Sequence, residues 1–147
     1  MKPEYKLRVF LSVAIIAAVY IVFSGPIFIQ NLPILLTQTF GLLLIIWAVL
    51  SIKFAKHHGE SPKLPEGYFL VTTGIYEIIR HPVYAGALLF LSGFVHGAPT
   101  FLRYLAFILF FAAILMKMIH EEKILEKHSK DFLPHKKKTH KLIPYLY

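Results

Sequence analysis

An arginine and a histidine stand directly before a proline that opens an apolar run, at Arg80, His81 and Pro82. A guanidinium at such a helix start can hold a carboxylate or a phosphate through two hydrogen bonds. Two acidic residues, Glu121 and Glu122, follow the last apolar run and could bind a cationic ligand. If the two runs pack side by side, these clusters of opposite charge lie at the same depth relative to the membrane. Their combination predicts a binding site.

Each of these residues also has an ordinary structural explanation when it is taken alone. Arg80 could be a positively charged membrane anchor, and His81 a neutral hydrogen-bonding side chain at the interface. Tyr76 and Tyr84 could belong to interfacial aromatic belts. Glu122 could lie on a solvated helical face among lysines. It is the combination of the two clusters that favours a functional site.

The composition places the chain among membrane proteins. It has 147 residues, of which 56% are hydrophobic and 16% charged, with a mean hydropathy of +0.61. A soluble domain of this size rarely carries so much apolar residue. A spanning helix needs about 20 mostly apolar residues, and four runs meet or nearly meet that length. We predict an all-α integral membrane protein with four transmembrane helices, at residues 7–28, 33–54, 82–98 and 101–119.

The charges predict the orientation of these helices. Basic residues precede the first run, lie between the second and third, and follow the fourth. The connection at 24–32 carries no charge, and the last connection carries only Arg103. The positive-inside rule therefore predicts a multi-pass protein of the cytoplasmic or inner membrane, with both termini in the cytoplasm. The basic run at 136–138 predicts contact with anionic membrane lipids, and nucleic acid is not an expected partner.

The rest of the chain is organised as one domain, residues 1–147. The polar connection at 55–81 contains glycines and prolines that exclude a continuous helix, whereas Pro82 suits a first helical turn. The fourth run should continue as a helix to Lys130 because it lacks Gly and Pro. From Pro134 onward we expect an irregular tail whose residues 142–145 can return to the membrane surface.

Several chemistries lack their sequence signatures. The chain has no glycine-rich nucleotide loop and no cysteine. His120-Glu121 does not continue into a zinc-protease motif, and the adjacent His57 and His58 would point apart on a helix. We therefore expect no metal site.

Taken together, the polar segments carry a family resemblance. The runs Gly74-Ile75-Tyr76 and Arg80-His81-Pro82-Val83-Tyr84-Ala85-Gly86, followed by Glu121-Glu122, resemble the isoprenylcysteine carboxyl methyltransferase family. That family is related to the membrane phospholipid N-methyltransferases. The matching region, about residues 67–144, would be the cofactor-binding half. The resemblance implies a membrane enzyme that uses S-adenosyl-L-methionine at the cytoplasmic face and takes a lipidic or prenylated acceptor from the bilayer.

The resemblance also implies roles for particular residues. Arg80 and Glu121 would be catalytic, and spacing back from Phe132 favours Glu121 over Glu122 as the family's acidic residue. Arg80 or His81 could take the carboxylate of the cofactor, and a glutamate its ammonium. Methyl transfer then needs alignment and exclusion of water, and an amine acceptor also needs a carboxylate to take its proton. The implied cofactor-binding set is Gly74, Tyr76, Arg80, His81, Pro82, Tyr84, Gly86, Glu121 and Glu122.

The pocket should lie between the third and fourth spans, roofed by residues 55–81 and the tail. The leading expectation is methyl transfer to a lipid-like or isoprenylcysteine-type acceptor. Phospholipid N-methylation, small-thiol S-methylation and a non-enzymatic four-helix membrane scaffold are the alternatives. A reductase related to the sterol reductases is disfavoured because the chain is short and shows no nicotinamide signature.

Overall fold

The computed structural model describes residues 3–26, 31–59 and 69–143. In this part of the chain the regular structure is helical, with no β-strand longer than an isolated bridge, so the all-α prediction is confirmed. A short 3₁₀ helix at Gly74–Glu77 precedes the third α-helix. The α-helices are α1 (Pro3–Phe23), α2 (Leu32–His57), α3 (Pro82–Gly97), α4 (Phe101–His128) and α5 (Phe132–Lys138).

Local capping explains why three of these helices begin where they do. The Asn31 side chain accepts a hydrogen bond from the first turn of α2, and Thr100 accepts one from Arg103 N at 3.3 Å in α4. Both residues are of types that satisfy the unpaired N–H groups of a helix start. Pro82 opens α3, where its missing N–H has no cost.

Two of the helices are long and apolar enough to cross a membrane, α2 and α4. The apolar part of α1, Arg8–Phe23, and the whole of α3 are shorter. With 16 residues, α3 is about 24 Å long, below the roughly 30 Å of a bilayer core. The predicted first span extended too far, since α1 ends at Phe23 before Ser24-Gly25-Pro26; its residues 27–28 lie outside the described part. Four spans therefore remain a prediction.

The helices pack mainly in two pairs, α2 with α3 and α1 with α4, whereas α3 and α4 touch far less. Glycines let α2 and α3 approach closely. A Cβ atom on Gly41 would lie 2.6 Å from Phe90 N and 2.7 Å from the Gly86 carbonyl oxygen. As a result α3 is held beside α2, and the site residues at its start meet the polar end of α4.

At the end of the helices that lies away from Arg80, Arg103 of α4 connects α4 to α1 and to the residue after α3. Its side chain is buried, with only 1% of the residue exposed. The guanidinium donates to the Ile21 carbonyl in the last turn of α1 and to the Ala98 carbonyl just after α3, the latter at 2.8 Å. A cation at these carbonyl-rich helix ends is favourable, so the first turn of α4 fixes two neighbouring helices.

The tail differs from the irregular segment that we predicted. Residues 132–138 form α5, which tolerates Pro134 because the proline lies in its first turn, where no N–H partner is required. Residues 139–143, named here the C-terminal strap, then run parallel to residues 78–81. Arg80 N donates to the His140 carbonyl at 2.8 Å, and His140 N donates to the Ile78 carbonyl at 3.0 Å. Part of the predicted roof at 55–81, residues 60–68, lies outside the described residues, as do residues 144–145 of the segment 142–145 that was predicted to return to the membrane.

Candidate functional site

Arg80 connects the start of α3 to the end of α4 and to the C-terminal strap. Its Nε donates to Glu122 Oε1 at 3.0 Å, and the two side chains are 9% and 7% exposed. Its Nη1 donates to the carbonyls of Lys136, at 3.1 Å, and Thr139. One guanidinium therefore joins three segments that are far apart in the sequence.

Several cationic or proton-donating groups converge on Glu122. His81 Nε2 lies 3.3 Å from Oε1, while Lys136 Nζ and Lys141 Nζ lie 3.6 and 3.7 Å from Oε2. We name Arg80, His81, Glu122, Lys136 and Lys141 the Glu122 cluster. The cationic side chains of Arg80, Lys136 and Lys141 therefore surround the carboxylate of Glu122.

Glu121 belongs to a second group, the Tyr84 triad, which consists of Tyr84, Lys117 and Glu121. Tyr84 donates to Glu121 at 3.1 Å, Lys117 donates to the Tyr84 oxygen at 2.6 Å, and Lys117 also pairs with Glu121 one turn away. His81 links the two groups, since its ring stacks against Tyr84 with centroids 5.7 Å apart. Consecutive helical residues point about 100° apart, which explains why the two glutamates serve different partners.

Two cavities lie on either side of the segment that leads into α3. A smaller one, of about 260 Å³, has polar walls from Tyr76, Arg80, His81 and His135. The rest of its wall consists of Ile52, Lys56, Phe69, Leu70, Val71, Leu125 and Phe132. A larger groove, of about 790 Å³, is lined only by apolar residues of α2, α3, α4, the 75–79 segment and the C-terminal strap. One short segment thus contributes to both walls, with Ile75, Ile78 and Ile79 in the apolar groove and Tyr76, Arg80 and His81 in the polar cavity.

Burial and neighbouring charges set the protonation of three groups at this site. Burial, and then the negative charge of Glu121, raise the pKa of Tyr76 to about 12, so its phenol stays a hydrogen-bond donor. Burial, and then the positive charge of Arg80, lower the pKa of His135, so its ring is neutral at pH 7. The hydrogen bond to Glu126 raises the pKa of Lys136 and keeps it cationic.

The structure brings most of the predicted site residues together. Arg80, His81 and Glu122 meet in one cluster, Tyr84 and Glu121 meet in the adjoining triad, and Tyr76 lines the smaller cavity. Pro82 is fully buried at the start of α3.

Two predicted glycines lie elsewhere. Gly86 packs against Gly41 and Ile45 of α2, where a Cβ atom would come within 2.7 Å of each. Gly74 has a φ of +64° and lies against Ser51. Their geometry is explained by helix packing and by a left-handed backbone turn, without a ligand contact.

Sequence reasoning missed the lysines and the strap residue that complete these groups. Lys117 had a usable signal, because it lies four residues before Glu121 on a predicted helix. Thr139 and Lys141 had none, since only the folded chain brings them to Arg80 and Glu122. Within residues 3–26, 31–59 and 69–143, no group of three or more His, Asp or Glu side chains could hold a metal ion.

The sequence model of the phospholipid methyltransferase family matches residues 33–131, about two thirds of the chain. The match extends from the first turn of α2 to just beyond α4 and includes both glutamates. The chain therefore belongs to the phospholipid methyltransferase family, and the predicted relation to membrane methyltransferases is confirmed. No curated protein and no solved structure matches the chain.

Proposed function

We propose that this protein is an S-adenosyl-L-methionine-dependent methyltransferase that modifies a lipid-like acceptor at the membrane surface. The observation that carries the proposal is the convergence of Arg80, His81 and Glu122 beside a cavity, in a chain of the phospholipid methyltransferase family. A membrane scaffold would not require a buried ion pair at the wall of a cavity.

The residues around the smaller cavity suit the proposed cofactor. Its amino-acid end carries a carboxylate and an ammonium, and the Glu122 cluster offers a guanidinium and a carboxylate 3.0 Å apart. Arg80 is the better partner for the carboxylate because it presents a planar set of donors. Glu122 is the corresponding partner for the ammonium. The apolar wall, which includes Leu70, Leu125 and Phe132, suits a nucleoside. The donor set therefore fits this group.

The residues of the chain would act mainly by positioning. The bound cofactor supplies an electrophilic methyl group on a sulfonium. Arg80 and Glu122 fix the amino-acid end, and the apolar wall excludes water, which strengthens electrostatic interactions inside the site. Tyr76 remains a hydrogen-bond donor because its pKa lies far above neutral pH. Sequence spacing favoured Glu121 for the cofactor, whereas the contacts of Arg80 favour Glu122.

The apolar groove suits the hydrocarbon part of the acceptor. Trp47, Leu88 and Ile143 contribute to its walls, and its volume of about 790 Å³ is large enough for a drug-sized or lipid-sized apolar group. Phospholipid acceptors come first because of the family match. Isoprenylcysteine and small-thiol acceptors are the alternatives that an acceptor screen must compare.

The proposed topology has α1 to α4 crossing the membrane and both termini on the cytoplasmic side. The end of the molecule with the site carries the cationic residues Arg80, Lys117, Lys136 and Lys141. By the positive-inside rule, this charge distribution supports a cytoplasmic position of the site. Single-cysteine labelling tests this topology cleanly because the natural chain has no cysteine.

Calorimetric titration of S-adenosyl-L-methionine and S-adenosyl-L-homocysteine into the detergent-solubilised protein tests the proposed function. We expect saturable binding that weakens at least about tenfold in Arg80→Ala and in Glu122→Gln, since each loses a charge-assisted contact. Glu77→Gln is the matched control, because Glu77 is exposed in the neighbouring 3₁₀ helix. No binding to folded protein at millimolar ligand, or equal affinity in all variants, would refute the assignment.

A further inference from the structure

We infer that Tyr84 is a further catalytic residue, which takes a proton from an acceptor amine while passing its own proton to Glu121. Lys117 is the positioning residue that holds the Tyr84 oxygen. This inference rests on the proposed function with a lipid-like amine as the acceptor, which is the phospholipid N-methylation considered above.

The hydrogen bonds of the Tyr84 triad have the direction that such a transfer requires. Lys117 donates to the Tyr84 oxygen at 2.6 Å, and the Tyr84 hydroxyl donates to Glu121 at 3.1 Å. The phenol thus has a cation at its oxygen and a carboxylate at its hydrogen. When the hydrogen moves to Glu121, the Lys117 charge stabilises the oxygen that receives the next proton.

The placement of Lys117 favours this role over that of a membrane anchor. A lysine at the end of an apolar helix usually extends its ammonium toward water. Lys117 instead turns toward Tyr84 and Glu121, and its side chain is 18% exposed. Its Nζ also lies 5.3 Å from the centre of the Tyr84 ring. Solvent screens charged groups of such low exposure only weakly, so the electrostatic effect of Lys117 on the Tyr84 phenol is stronger.

The apolar groove leads the acceptor along α3 toward Tyr84. Leu88 lies one helical turn after Tyr84 and lines the apolar groove. A hydrocarbon chain in that groove would leave its head group near the start of α3. Arg80 pairs with Glu122, whereas His81 contacts both groups, because its ring lies against Tyr84 and its Nδ1 lies 3.9 Å from Glu121 Oε2. Tyr84 also directly precedes Ala85, another residue of the groove wall.

The proposed step balances in atoms and charge. The acceptor ammonium gives one proton to the Tyr84 oxygen as the Tyr84 hydroxyl proton passes to Glu121. The freed nitrogen lone pair then forms a bond to the methyl carbon, and the carbon–sulfur bond breaks with its electron pair left on sulfur. The products are a methylated ammonium, a neutral thioether and a protonated Glu121, which returns its proton to water.

The first test measures binding and needs no cofactor. Hexadecylamine and hexadecyltrimethylammonium are titrated separately into the full-length protein in detergent; only the amine has N–H groups that can meet Tyr84. We expect the natural protein to bind the amine with about five- to tenfold higher affinity, which corresponds to the net free energy of one hydrogen bond. Tyr84→Phe should abolish this difference in affinity. Tyr104→Phe is the matched control, because Tyr104 is in the first turn of α4, far from the site. An unchanged preference in Tyr84→Phe overturns the inference.

The second test is the pH profile of kcat/KM for the amine. Tyr84→Phe should lose about 10²-fold or more near neutral pH, and the loss should shrink once the free amine predominates in solution. Lys117→Met should give a smaller loss with the same pH dependence, and Lys117→Arg should restore part of it. A loss that is equal at every pH indicates a structural role and overturns the inference. If the protein methylates N-acetyl-S-farnesylcysteine and no amine, the inference is also overturned, whereas the proposed methyltransferase function is retained.

Discussion

Arg80 and Glu122 form a buried ion pair, with Nε and Oε1 3.0 Å apart, across 42 positions of sequence. The same guanidinium also hydrogen-bonds to backbone carbonyls of the tail. In the absence of a ligand, each charge of the site is thus compensated by another part of the chain. A zwitterionic ligand can replace these contacts one for one. Binding would then exchange one set of charge–charge contacts for another, and it would not bury new unpaired charges.

The first prediction concerns the stability of this pair. Arg80→Met or Glu122→Gln alone should lower the free energy of unfolding by about 1.5–3 kcal/mol, because each removes a charge-assisted hydrogen bond of low solvent exposure while the other contacts of the cluster remain. The double variant should lose less than the sum of the two. Thermal or denaturant unfolding in detergent provides the measurement, with the exposed Glu77→Gln as control. Strictly additive losses would show that the two side chains do not depend on each other.

The second prediction concerns Arg103 at the opposite end of the helices. Arg103→Met leaves two carbonyls, of Ile21 and Ala98, without their donor. We expect a loss of about 2–4 kcal/mol in the same unfolding experiment. Arg8→Met, at an exposed position of α1, should change stability by less than about 0.5 kcal/mol. Equal effects of the two substitutions would contradict the capping role of Arg103.

The third prediction concerns the close contact of α2 and α3. Gly41→Ala places a methyl group 2.6 Å from Phe90 N, which forces the two backbones apart. This overpacking should cost about 1–3 kcal/mol, although alanine is the better helix former. Thr39→Ala, on the exposed face of the same helix, is the control. If Gly41→Ala proves stabilising, the helices do not approach as closely as described.

The fourth prediction concerns pH and His135. The pKa of His135 is lowered in the folded chain from its ordinary value of 6.5, first by burial and then by Arg80. The unfolded chain therefore takes up a proton before the folded chain does, and stability falls as the pH drops below about 6.5. His135→Gln should flatten this fall in unfolding curves recorded between pH 7.5 and about 5. His128→Gln, at an exposed position, should not, and an identical slope in both variants would remove His135 as its cause.

Much of the helical framework was predictable because its signals are local. Pro82 and the caps at Asn31 and Thr100 lie next to the helix starts that they determine. The run after residue 116 lacks helix breakers, and α4 accordingly continues to His128, two residues short of the predicted end. The predicted presence of Arg80 and the glutamates at one level also follows from helix lengths.

The remaining parts of the site depend on contacts between distant residues. Nothing near Thr139 or Lys141 in the sequence indicates that they reach Arg80 and Glu122. The choice between Glu121 and Glu122 depends on the rotation of α4, which its packing against α1 determines. The short helix α5 differs from the irregular structure that Pro134 suggests in the sequence. The proline lies in the first turn of α5, where no backbone N–H is needed for a helical hydrogen bond.

The parallel bridge between Ile79 and His140 has a consequence for biosynthesis. A ribosome makes residues 78–81 about sixty positions before it makes the C-terminal strap, so the start of α3 is synthesised well before its bridging partner. Until then Arg80 lacks its tail carbonyls, and Glu122 lacks Lys136 and Lys141. The strap is thus the last part of the site to be made, and a chain interrupted before Phe132 would carry α1 to α4 without these contacts.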